Sequence, residues 1–159
     1  MANIIPRPAF SKATDEKIYF SKKTVISGEF SEVAKLFENL IPEAKEAHEN
    51  ALTFIVDNDI AEEGYKILYN NGDINIFCSD EAGALYGFMT LVQLCADNDN
   101  FNAVIINDAP KYAWRGFMLD CSRHFWSMDK LKQILTVANG AVASGGGGGI
   151  STVVIGRIL

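Results

Sequence analysis

The tetrapeptide Asn107-Asp108-Ala109-Pro110 constrains what this chain can fold into more than any other feature. A proline disfavours helical geometry in the residue before it, and Asn and Asp beside it favour turns, so the regular pattern upstream has to end here. About 110 residues precede the break, enough for one packed core. Only the 46 residues from 114 to 159 follow Ala113.

Before the break the pattern is mixed. After a start punctuated by Pro6 and Pro8, β-type runs fall at Lys17 to Phe20, Thr24 to Gly28 and Leu52 to Val56. Tyr65 to Tyr69 and Ile74 to Phe77 flank Asn70-Asn71-Gly72-Asp73, whose residues tolerate the positive φ of a tight hairpin turn. Two helices are expected. One is capped by Ser31, carries Val33, Leu36, Phe37, Leu40, Ile41 and Ala44 on one face, and ends near Pro42. The other starts at Ser79-Asp80 and presents Leu85, Phe88, Met89 and Val92, with Gly83, Ala84 and Gly87 letting it lie close to a sheet. Ala103 to Ile106 is a further strand. The fold class is therefore α/β (α+β).

After the break, Arg115 to Asp120 reads as a strand, and Ser127 caps a helix bearing Met128, Leu131, Ile134 and Leu135. A strand feeding a helix opens a βα repeat. From Thr136 the composition turns to Ala and Gly, with Gly145 to Gly149 unbroken; that run lacks the Lys-Ser or Lys-Thr of a phosphate cradle and reads as a joint. Ile150 to Leu159, alternating and partly β-branched, suits the open edge of the preceding strand.

Charge and composition exclude several functions. Net charge is −6 and the Lys and Arg residues are scattered, so neither nucleic acid nor an anionic membrane is an expected partner. No apolar run is long enough to cross a bilayer, and the N-terminus has no leader pattern. As written, the product is cytoplasmic; a secreted or periplasmic parent whose leader had been removed would read the same. Cys78, Cys95 and Cys121 are odd in number and widely spaced, so buried thiols are expected, with no disulfide framework, metal or cofactor.

The stretch from Ile106 to Phe125, Ile-Asn-Asp-Ala-Pro-Lys-Tyr-Ala-Trp-Arg-Gly-Phe-Met-Leu-Asp-Cys-Ser-Arg-His-Phe, resembles the domain junction of family 20 glycoside hydrolases, the β-N-acetylhexosaminidases. Their pattern is Asp-x-Pro, an aromatic, then Arg-Gly-x-x-x-Asp-x-Ser-Arg-His and an aromatic, and every position matches. Upstream, Glu63 to Ile67 and Asp80 to Leu94 are similar to the family's lead domain, where a Gly-x-x-Tyr-Gly-x-x-Thr-Leu-x-Gln-Leu helix is characteristic.

The resemblance implies a mixed β-sheet with two helices on one face over residues 1–110. It implies the first strand and helix of an incomplete TIM barrel over 111–135, and leaves a tail, 136–159, that the family lacks. It also implies a parent hydrolase, a glycosidase that removes terminal non-reducing N-acetylhexosamine from glycans with retention. The substrate's acetamido oxygen is the nucleophile, and an Asp-Glu pair late in the barrel orients that group and supplies the general acid/base.

Neither Asp-Glu pair present here suits that role. Asp15-Glu16 reads as a solvated turn and Asp80-Glu81 as a helix start, so no catalytic residue is assigned and the chain alone is expected to be inactive. Arg115 is the one residue carried over as a substrate contact. In the family this Arg grips hydroxyls at the far end of the terminal sugar, a task suited to its planar fork of donors. Asp120, Arg123 and His124 are expected to orient the strand and its loop, with His48 on a solvated helix surface and Trp114 and Trp126 filling the join between domains. Two alternatives stand beside this reading: an independent carbohydrate-binding or protein-interaction module, and a fragment of another barrel glycosidase such as an α-glucuronidase.

Overall fold

A computed structural model describes residues 4, 5, 7–45, 48–95, 99–112, 117–120, 125–134 and 153–156. Its centre is a mixed, six-stranded sheet in the order β1-β6-β4-β5-β3-β2. The strands are β1 (Phe10–Tyr19), β2 (Val25–Gly28), β3 (Ala51–Val56), β4 (Tyr65–Asn70), β5 (Asp73–Cys78) and β6 (Asn100–Asp108). Neighbours β2/β3 and β3/β5 run parallel; β4/β5, β4/β6 and β1/β6 run antiparallel. Helices α1 (Glu32–Leu36) and α2 (Glu81–Leu94) contact each other, and α2 lies on β4 and β5.

Alternation decides which face is covered. Leu52 and Phe54 of β3, Ile67 of β4, and Ile74 and Ile76 of β5 are all but solvent-free, while Thr53, Ile55, Asn75 and Phe77 between them are only partly covered. That is the period-2 signature of a sheet with its helices on one side. Phe20 and Phe88 meet edge to face within this layer, their centroids 6.2 Å apart. The β4–β5 hairpin turns through Asn71 (φ 53) and Gly72 (φ 88), the positive pair its sequence announces.

Helix α2 packs deeper than its apolar periodicity suggests. A Cβ at Gly83 would lie 2.2 Å from the carbonyl oxygen of Gly64, and one at Gly87 would lie 2.7 Å from Ile76 Cγ2. Glycines four apart thus centre the inner face on residues 83, 87, 91 and 94. Tyr86, Thr90 and Leu91 are buried, while Leu85 and Val92, expected on the buried side, are only partly so.

Three further expectations differ. The first helix is a single turn over Glu32–Leu36 followed by a 3₁₀ turn, Glu38–Leu40; Ser31 makes no side-chain cap bond and Leu36 is 72% exposed. Phe37 leaves helical geometry at φ −124 and ψ 26, so the α-helix stops well before Pro42, which closes off any helix only beyond the 3₁₀ turn. Asp15-Glu16 is no turn: it sits in an irregularity of edge strand β1, where the register with β6 shifts between Ala13 and Lys17, and Glu16 accepts from the Gly72 amide at 3.3 Å. His48 lies outside any helix and stacks on Tyr19 with centroids 3.4 Å apart.

Past the break, β7 (Phe117–Asp120) pairs in parallel with β8 (Val153–Gly156), from Phe117 opposite Val153 to Asp120 opposite Gly156. Part of the tail therefore does cover the open edge of this strand. Helix α3 (residues 128–134) lies between the two in sequence, and the Ser127 hydroxyl accepts from the Lys130 amide at 3.3 Å as its cap.

Candidate functional site

The corner from which the chain leaves the sheet is built by two aspartates. Asp80 caps α2, its Oδ1 accepting from the Gly83 amide at 2.8 Å; its Oδ2 accepts from the Glu63 amide at 2.7 Å and the Ser79 hydroxyl at 3.0 Å. Glu63 holds φ 56, an uncommon angle for a residue with a side chain, and the carboxylate bond helps keep the loop before β4 in that shape. Asp80-Glu81 is thus occupied as a helix start, with no carboxylate pair aimed at a cavity.

Asp108 ends β6 and is 2% exposed. Its Oδ1 accepts from the Ala9 amide at 3.0 Å and its Oδ2 from the Tyr65 hydroxyl at 3.4 Å; Tyr65 Oη is in turn 2.7 Å from Thr90 Oγ1. A buried carboxylate is costly unless hydrogen-bonded, and here donors reach it from strand and chain start alike. The sequence reading assigned this cluster no role. Tyr65, Thr90 and Asp108 come one each from the three segments that carry the family resemblance, but nothing local in the sequence pairs them.

A cavity of about 370 Å³ borders the corner, lined by Ala9, Phe10, Asp59, Lys66, Asn107 and Ala109 among others. A second, of about 400 Å³, lies beside α1 between Lys22, Lys35, Glu38 and Ile41, its ammonium groups paired with Glu43 and Glu32. The Glu43 carboxylate raises the Lys22 pKa, chiefly by hydrogen bonding. The cavity at the corner thus has two carboxylates, Asp59 and Asp108, and the Lys66 cation in its lining, with Asp108 already bonded to the Ala9 amide and the Tyr65 hydroxyl.

Of the sequence-derived site residues, Asp120 is placed at the end of β7, opposite Gly156. Arg115, Arg123 and His124 lie outside the described residues, as do Trp114 and Cys121. Trp126 is half-buried just before α3. Cys78 and Cys95 are buried free thiols. Burial, then the charge of Asp80, pushes the Cys78 thiol up to about 11; burial, then Asp99, pushes Cys95 higher still. Both stay protonated and unreactive at neutral pH. Among the described residues no group of three His, Cys, Asp or Glu could hold a metal, and no helix is long and apolar enough to cross a membrane.

The architecture is a mixed sheet with helices α1 and α2, followed in sequence by the β7 strand and α3. Residues 1–109 match the sequence pattern of glycosyl hydrolase family 20, domain 2, and residues 112–138 match the family 20 catalytic domain. The chain belongs to glycosyl hydrolase family 20. A Beta-hexosaminidase of Porphyromonas gingivalis is 30% identical over 160 residues, covering 85% of this chain and 21% of that protein. A solved glycoside hydrolase family 20 beta-N-acetylglucosaminidase superposes with a TM-score of 0.70 at 33% identity, over 89% of this chain and 29% of the other. The beta-N-acetylhexosaminidase of Bacteroides fragilis NCTC 9343 gives 0.72 at 24% identity, over 86% and 31%, a likeness of fold. The chain thus spans about a fifth of the Porphyromonas relative. These relatives do not favour the α-glucuronidase or independent-module alternatives.

Proposed function

We propose that residues 1–110 form the lead domain, and 111–135 the first βα unit, of a β-N-acetylhexosaminidase acting on glycans with terminal non-reducing N-acetyl-D-hexosamine. The observation that carries this reading is the succession within one chain of the domain 2 match and the catalytic-domain match, with only residues 110 and 111 between them. In that enzyme Arg115 binds sugar hydroxyls, while Asp120, Arg123 and His124 hold the first barrel strand and its loop. The reaction is retaining and substrate-assisted, and its Asp-Glu pair belongs to later barrel strands.

The 159-residue chain is therefore catalytically silent by itself. Each charge-assisted hydrogen bond from Arg115 contributes on the order of 1.5–3 kcal/mol, too little to hold a sugar against the cost of association without the rest of the pocket. The test is nitrophenol release from nitrophenyl N-acetylglucosaminide. The chain alone is expected to give none, and turnover comparable to a complete family member would overturn the claim. In an enzyme that continues these residues through the barrel, Arg115→Ala is expected to lower kcat/KM by about tenfold or more. Unchanged kinetics would remove Arg115 from the sugar site.

A further inference from the structure

One row of side chains crosses the sheet at the end where β6 finishes. Phe10 of β1 stands opposite Asn107 of β6, Asn107 opposite Lys66 of β4, and Lys66 opposite Phe77 of β5. Cross-strand partners share a face, and this face is turned away from α2, because the alternate residues Tyr65 and Ile76 are the ones that lie against Gly87 of the helix. The helical layer leaves the row uncovered: Phe10 is 50% exposed, Asn107 is exposed and Lys66 is half-buried. Asp59 joins the row from the connection between β3 and β4, where its amide donates to Asp57 Oδ1 at 3.0 Å and fixes the turn that carries it.

Phe10, Asp59, Lys66 and Asn107 line the corner cavity of about 370 Å³, a volume within the roughly 300–1,000 Å³ of small-ligand sites. Three of these side chains carry unused hydrogen-bonding capacity. The Asp59 carboxylate, the Lys66 ammonium and the Asn107 carboxamide have no hydrogen bond or ion pair with any described residue. Asp108, the other polar residue of the lining, is committed to the Ala9 amide and the Tyr65 hydroxyl and so shapes the wall.

A carboxylate only accepts, an ammonium only donates and a carboxamide does both, so a ligand that satisfies all three must present donors and acceptors side by side. Its net charge is constrained as well: an anion is repelled by Asp59 and a cation by Lys66, whereas a neutral molecule meets no like charge. The half-exposed Phe10 ring asks for an apolar surface beside the polar one. Adjacent hydroxyls on a pyranose ring, with the ring's C–H face beneath them, meet the three demands together. We propose that the cavity binds a neutral sugar residue of a glycan: its C–H face lies on Phe10, its hydroxyls donate to Asp59 and to Asn107 Oδ1, and its oxygens accept from Lys66 and from Asn107 Nδ2. That this sugar belongs to the enzyme's own substrate rests on the hexosaminidase reading; the binding itself does not.

The isotope-labelled chain, titrated with N,N′-diacetylchitobiose and followed by amide NMR, is expected to show saturable shifts centred on Phe10, Asp59, Lys66 and Asn107, with half-saturation in the millimolar range. Phe10→Ala and Asn107→Ala should each weaken binding by about fivefold or more, with the amides of Ile76 and Leu91 on the helical side unmoved. Should either variant disturb those amides, Asp59→Ala, in the loop, takes its place with the same expectation. Shifts that do not saturate, shifts that map elsewhere, or variants that bind as the parent does overturn the proposal. So does glycine producing the same map at equal or lower concentration, which would make the cavity a site for a zwitterion. No turnover enters the measurement, so nitrophenol release by a complete enzyme judges the hexosaminidase reading separately.

Discussion

The six-stranded sheet and the short unit that follows it use similar residues to different effect. In the sheet, Phe88 and Phe54 are 2% exposed or less, sealed between strands and α2. In the second unit Phe125 is 86% exposed, Met128 is 65% exposed, and Leu131 and Ile134 of α3 are only half-covered. Both regions have a strand, a helix and a cap. The difference is layers: an amphipathic face becomes core only when another element closes over it, and among the described residues of this region only β7, β8 and α3 are at hand to do so.

That contrast can be broken by experiment. Phe88→Ala is expected to cost about 3–5 kcal/mol in urea unfolding, because it empties the centre of the sheet–helix layer. If a second-unit truncation costs as much, the two regions share one core and the distinction fails.

A pH titration sharpens it from another side. The folded state holds the Cys78 thiol protonated, raising its value from 9.0 to about 11. Its contribution is therefore complete below pH 9 and is lost as pH rises towards 11, at up to about 1.4 kcal/mol per pH unit. Stability measured across that window should fall, and Cys78→Ala should lessen the slope, the rest coming from Cys95 and Tyr69, whose values burial also raises; an unchanged slope would mean the Cys78 thiol is reached by water.

Asp80→Ala should cost about 1–2 kcal/mol through loss of the α2 cap, with the Glu63 loop exchanging faster than the β4–β5 hairpin. Met128→Ala sets the lower bound. Because that side chain is largely in solvent, its removal should change stability by no more than about 0.5 kcal/mol, and a larger loss would show α3 docked against the sheet.

Much of this was legible in the residues. The Asn71-Gly72 turn, the Asp80 cap and the inward Leu52 and Phe54 follow from local chemistry, since turn, cap and alternation each need only neighbours within a few positions. The first helix was overread because the spacing of Leu36, Phe37 and Leu40 suits a helix whether or not the backbone at Phe37 lets it continue. Asp15-Glu16 was misplaced because a bulge in an edge strand leaves the same polar trace as a turn. The proposed sugar contact is written in the sequence only as a resemblance, in the Arg115 to His124 motif.

Sequence alone determined the order of strands and helices, the break at Pro110 and the family signature, because each is written in contiguous residues. Only the tertiary structure decided that Tyr65, Thr90 and Asp108, spread over 44 positions, share one buried cluster, and that Leu85 and Val92 of α2 are only partly covered. The reason is physical: the energy of a buried hydrogen bond or a close backbone approach depends on which elements become neighbours, and that is settled by the packing of the whole sheet, with no trace in the local pattern.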